Sequence, residues 1–240
     1  MFFFVFKMLL MWKSFAYQLI MKVVEFSKIM AGKIQNLLAQ AARLADSSVS
    51  KLSSVTNTTR IFQTEAEAKA AFGQLREKLL RVGEWNDESS ISSFALYDER
   101  GNEQPEKSAA IGDFIKITLP LSGKDDWVKI TEIHNLPDEI VLTVQPSPNP
   151  TDKADETTIA HFFTDESTNN FCLQKKEAKL NFYVIGLNEK TNTEETSGVL
   201  ETIRNVATSN LGCFLGIQKA QWKTFGENFL ESEKSEKGKK

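Results

Sequence analysis

The sequence predicts an α+β fold: a meandering antiparallel sheet of about seven strands packed on a long C-terminal helix, preceded by N-terminal amphipathic helices. Three observations carry this. Short alternating apolar runs, separated by turn residues, follow one another from Ile91 to Leu187. The links between them are short, which makes neighbouring strands antiparallel. Leu211, Phe214, Leu215, Gln218, Trp222, Phe225 and Phe229 then recur at helical spacing and form one broad aromatic stripe.

The composition is ordinary for a globular chain of 240 residues, with 41% hydrophobic and 25% charged residues. Net charge is −3, but its distribution is uneven. Residues 1–60 hold eight basic and two acidic side chains, so +6, which leaves −9 for the rest. A body at −9 repels a duplex, so nucleic acid is not an expected partner. Two cysteines, Cys172 and Cys213, are too few for a disulfide framework and have no close histidine, so neither a staple nor a metal site is expected.

The front segment, residues 1–46, reads as basic and amphipathic. From Trp12 to Met30, Phe15, Leu19, Ile20, Val23 and Phe26 share one helical face, and Lys22, Glu25 and Lys28 the other. Lys7, Lys13 and Lys22 interrupt the apolar run, which is too broken for a membrane span. Three readings fit residues 12–30: a peripheral membrane contact, packing on the protein's own body or on a second copy, and translation that starts at Met21 or Met30 instead. The pattern continues through Ile34, Leu37, Leu38, Ala41 and Leu44. Residues 47–60 are rich in Ser and Thr and read as a linker.

The body is read as residues 61–230, with a charged tail at 231–240 that has no core to join. Thr64 and Glu67 form a capping box that opens a helix through about Val82, with Gly83 as its stop. The expected strands are Ile91–Tyr97, Phe114–Leu119, Trp127–His134, Glu139–Val144, Thr157–Thr164, Phe171–Lys175 and Lys179–Leu187. Such a sheet is expected to bury one face. Ser197 is placed to cap a helix before the final one.

This order resembles the helix-grip layout, in which a sheet curls around its last helix and can leave a cavity. Folds of that kind related to START domains begin with a strand before the first helices, and none reads out between Ser47 and Thr64. The resemblance is of layout alone.

Chemistry-bearing motifs are scarce. Neither G-x-x-x-x-G-K-[ST] nor G-x-G-x-x-G occurs, so no cofactor is expected. There is no G-x-S-x-G elbow. His161, with Asp165 and Glu166 just after it, is the one weak catalytic candidate. The aromatic residues Trp85, Trp127, Phe163, Phe171, Phe182, Tyr183, Trp222 and Phe225 are candidates to line an apolar pocket, and they would equally fill a core. The expectation is therefore a non-enzymatic domain that binds an apolar small molecule, a lipid or a protein partner, cytoplasmic or peripheral at a membrane. An enzyme using His161 and a scaffold without a ligand are the alternatives.

Overall fold

The computed structural model describes residues 32–46, 53–89, 92–118, 125–152, 163–190 and 211–232. The front helical face (Phe15, Leu19, Ile20, Val23, Phe26), His161, nearly all of the run Thr157–Thr164, the helix after Ser197 and most of the charged tail lie outside these residues.

In chain order the elements are α1 (Lys33–Asp46), β1 (Ser53–Ile61), α2 (Glu65–Leu80), a 3-10 turn (Val82–Asp87), β2 (Ser93–Tyr97), β3 (Phe114–Thr118), β4 (Asp125–Leu136), β5 (Glu139–Pro146), β6 (Thr168–Lys176), β7 (Lys179–Leu187) and α3 (Leu211–Glu231). The strands form one antiparallel sheet in the order β1-β7-β6-β5-β4-β3-β2.

The linker reading of residues 47–60 is corrected at its second half. Ser53–Ile61 is a strand that pairs with β7 over its whole length, from Ser53 opposite Leu187 to Ile61 opposite Lys179. Its residues, SSVTNTTRI, are polar, yet Val and Thr fit a pleated surface well and the main chain supplies the ladder. The sheet thus begins with a strand before α2.

The capping box at α2 is present. Thr64 Oγ1 accepts from Glu67 N at 3.2 Å, and the Glu67 carboxylate accepts from Thr64 N at 3.1 Å. The helix stops at Leu80, two residues earlier than read, because Arg81 leaves the helical region at φ −98°, ψ 80°. Val82 instead starts the 3-10 turn, which plants Trp85 in the core with its Nε1 donating to the Leu79 carbonyl at 3.2 Å. Asn86 then pairs with both backbone groups of Phe94 and secures the edge strand β2.

A bulge at Thr131 shifts the β4–β5 register between Ile130 and Glu132. Val128 and Ile130 face inward before it, and Ile133 faces inward after it. Glu132 and His134 are thereby turned to the outer face.

Both faces of the sheet are buried at β5–β7, not one. The inner face packs on α2 and α3 through Phe94, Leu96, Ile115, Ile140, Leu142, Phe171, Leu173, Phe182 and Val184. On the outer face, Val141, Cys172, Ile185 and Leu187 pack on Ile34, Leu37 and Ala41 of α1. Runs such as Ile140-Val141-Leu142 and Phe171-Cys172-Leu173 abandon alternation because both sides are apolar. Helix α1 crosses the strands. Ile34 N donates to Glu139 Oε1 of β5 at 3.4 Å, Lys33 pairs with Glu132 of β4, and the Ala41 carbonyl accepts from Ser53 Oγ of β1 at 2.8 Å.

Because α1 is part of the core, Ile34→Ala should cost about 2–5 kcal/mol, the range for buried Ile truncations. Equilibrium urea unfolding measures this, and a change within about 0.5 kcal/mol would place α1 outside the cooperative unit.

Candidate functional site: the grip between the sheet and the last helix

Helix α3 is held at both edges of the sheet. On the β1 side, Arg60 Nη1 donates to the Leu230 carbonyl, one of the acceptors that a helix C-terminus leaves open. Thr58 and Phe182 close on Gly226, where a Cβ would collide with the Thr58 hydroxyl. On the β2 side, Asn228 Nδ2 donates to the Glu88 carbonyl at 3.0 Å, and Gln221 donates to Ser92 Oγ. The Trp222 and Phe94 rings lie 6.2 Å apart. One helix that touches both ends of a seven-stranded sheet requires the sheet to curl around it.

Aromatic rings occupy the space between. Phe171 lies 5.0 Å from Trp85 and 5.1 Å from Trp222. Phe225 lies 5.7 Å from Trp85, 5.8 Å from Trp222 and 5.9 Å from Phe182. Phe182 and Phe229 close the end near Arg60 at 4.9 Å. These are edge-on and offset contacts of packed rings.

Five of the eight aromatic candidates therefore meet here: Trp85, Phe171, Phe182, Trp222 and Phe225. The other three do not. Tyr183 neighbours Phe182 in β7, and successive side chains of a strand point to opposite faces, so Tyr183 lies under α1 beside Cys172. Trp127 is turned outward for the same reason, since Val128 faces in, and it meets Tyr97 at 4.9 Å. Phe163 is fully buried at the turn before β6, outside the ring group.

The other end of the grip is polar. On the inner face the position before Phe171 is Asn169, and the Phe171 row runs through Val184 to Thr56. The next row is Asn169, Gly186 and Ser54. Asn188, at φ +54°, turns the chain sharply after β7, and Glu189 comes back over Gly186. A Cβ at Gly186 would collide with the Glu189 carboxylate, so glycine makes this approach available. Ser54 Oγ donates to Glu189 Oε1 at 2.9 Å. Burial pushes the Glu189 carboxyl above its ordinary value, and the Ser54 bond only partly opposes this.

Trp222 is the notable group. Its ring is packed and its Nε1 is buried with no hydrogen-bond partner. Trp85, on the same wall, satisfies its own Nε1 within the chain. A buried donor without an acceptor costs about 1–3 kcal/mol.

Asp165 and Glu166 occupy the two central positions of a surface turn closed by Ser167 N on the Thr164 carbonyl at 3.0 Å. Glu166 is exposed and paired with Lys190. Turn geometry and solvent account for both acids. His134 is buried on the outer face, away from the grip, with Nε2 unpaired. Among the described residues no cluster of three or more His, Cys, Asp or Glu side chains could hold a metal, and no helix is long and apolar enough to cross a membrane.

The reading of the sequence missed Glu189, Ser54, Thr56 and Asn169. Once Ser53–Ile61 is taken as a strand, alternation places Ser54 and Thr56 inward. Nothing local marks Glu189, because its burial depends on Gly186 across the turn.

No known family model matches the chain, and no curated protein matches it. Solved structures with a related course of chain include a hypothetical protein of Helicobacter pylori, at 7% identity over 79% of this chain and 92% of that one, TM-score 0.48. A protein of Nitrosospira multiformis is 11% identical over 73% of this chain and 96% of its own, TM-score 0.36. A major latex-like protein of Panax ginseng is 10% identical over 65% and 95%, TM-score 0.32.

Two outcomes follow for this site. Trp222→Ala should cost about 3–5 kcal/mol in urea unfolding, as buried Trp truncations do, whereas a surface-sized change would turn the α3 stripe away from the sheet. Glu189 has a folded value above its unfolded one, so its protonated form is favoured in the fold. That contribution is whole below the ordinary glutamate value of 4.5 and is lost as pH rises through the raised value. Glu189→Gln should therefore gain stability relative to the wild type as pH rises from about 4 to 7; a constant difference across that range would place the carboxylate in water.

Proposed function

We propose that this chain is a non-enzymatic binding domain of helix-grip type, and that its ligand is an apolar small molecule carrying one polar group. The fold supports the layout: a strand, a helix and a 3-10 turn, six more antiparallel strands, and a last helix held by both sheet edges. The ring wall of Phe171, Trp222 and Phe94 offers the apolar contact.

The observation that carries the proposal is the unpaired Trp222 Nε1. A ligand oxygen placed at that N–H would recover a hydrogen bond that the folded chain leaves unmade. The buried polar residues of the Phe171 row and the row next to it (Thr56 in the first, Asn169 in the second, with Glu189 over Gly186) extend the polar end that such a ligand would meet. Mostly apolar walls with few placed polar groups are the usual make-up of small-molecule sites.

Native mass spectrometry of freshly purified protein tests this. The expected spectrum holds the 27.0 kDa chain with a small-molecule companion that denaturing solvent removes. Trp222→Phe keeps a ring and deletes the donor, so it should lose the companion while staying folded. A bare wild-type chain, together with no change in tryptophan emission on titration with a long-chain alcohol, would contradict the proposal.

A further inference from the structure

We propose that β1 pairs with β1 of a second copy of this chain, antiparallel about a two-fold axis at Asn57, so that the two sheets join into one.

The first support is an edge left open. The sheet ends at β2 on one side and at β1 on the other. A bare edge presents a row of unpaired main-chain donors and acceptors, and proteins that stay apart blunt it. The β2 edge is blunted. Asn86 takes both main-chain groups of Phe94, Gln104 N donates to the Leu96 carbonyl at 2.7 Å, and Tyr97 bridges to Glu103. Strand β1 carries none of these devices. It is nine residues long against five, pairs with β7 without a bulge, and holds neither proline nor lysine. Its one charge, Arg60, is turned onto the Leu230 carbonyl of α3. Among the described residues, the main chain of Ser53–Thr59 bonds to β7 alone.

The second support is self-complementarity. Val55 belongs to the outer face under α1, so Asn57, Thr59 and Ile61 lie on that face as well. At one end of the strand Ile61 is 69% exposed. At the other, Val55 with Leu38 and Leu44 of α1 forms a half-buried apolar margin. A pairing that uses the whole strand sets Asn57 opposite its own copy, Val55 opposite Thr59 and Ser53 opposite Ile61. Ile61 of each copy then lies diagonal to Val55 of the other, at a separation that long side chains bridge. The axis makes this contact twice, the signature of an interface built from one surface patch. No like charges meet, because Arg60 stands opposite Ser54. An unrelated extended peptide would gain the ladder but not the doubled apolar contact. The helices leave room at the axis: α1 is bonded to β1 at Ser53, α3 at Arg60, and Asn57 and Thr59 are exposed.

Sedimentation velocity of the full chain at rising concentration tests the proposal. A species of twice the 27.0 kDa chain is expected. Asn57→Lys sets two ammonium groups against each other at the axis and should hold the protein at the mass of one chain. Asn57→Asp should do the same, and an equal mixture of the two variants should restore the doubled mass, which a mere loss of folding would not. Near-ultraviolet circular dichroism checks that each variant keeps its aromatic core. Directly opposed residues of an antiparallel pair lie within disulfide reach, so Asn57→Cys should oxidise to a link between the two copies of residue 57, mapped by mass spectrometry. Thr59→Cys should not, since its two copies are about 13 Å apart in this register. A wild-type chain that stays single at every concentration would overturn the proposal. So would a doubled mass that survives Asn57→Lys, which would place the contact elsewhere, or a link at residue 59 in place of 57.

Discussion

The pairing of β1 with β7 is the constraint on which the rest depends. It joins the first strand to the last, with Ser53 opposite Leu187 and Ile61 opposite Lys179. Closing so long a loop costs entropy that grows slowly with its length, and the contacts that the pairing organises must offset it. Those contacts are spread over the whole molecule. Ser53 holds α1, Ser54 holds Glu189, Thr58 receives Gly226, and Arg60 caps the last turn of α3. The strand contributes little apolar area of its own. Its importance is positional, since it supplies one of the two sheet edges that clamp α3.

The sheet's two faces divide the work. The inner face, the 3-10 turn and α3 supply the ring cluster, and the inner face brings a polar row to its end. The outer face at β5–β7 anchors α1 on an apolar patch whose margin carries a buried carboxylate. Glu139 accepts from Ile34 N in the first turn of α1 and from Gln174 Nε2 at 3.2 Å, where the helix dipole favours negative charge. Burial nonetheless pushes its carboxyl above the ordinary value, so desolvation outweighs these bonds. A residue that faces in and one that faces out can be sequence neighbours, as Phe182 and Tyr183 are, and they serve different helices.

Much of this was legible in residues alone. The Thr64 and Glu67 box, the alternation in Phe114–Thr118 and the spacing of Trp222, Phe225 and Phe229 are local signals with local causes. Strand β1 was not legible, because a Ser/Thr-rich stretch is equally a loop until a partner takes its backbone groups. The bulge at Thr131 was invisible for a related reason: an extra residue reverses the faces of β4 only relative to β5. Of the site, the rings could be named, but their grouping required face parity across seven strands. The Glu189 carboxyl required the approach to Gly186, which no periodicity encodes.

Amide hydrogen exchange of β1 in the full-length protein tests the central claim most directly. If β1 is an integral strand, the amides of Ser53–Ile61 that point to β7 should exchange only with global unfolding, at the same free energy as amides of β6 and β7. Exchange of these amides at the rate of an open polar linker, with β6 and β7 still protected, would contradict the account.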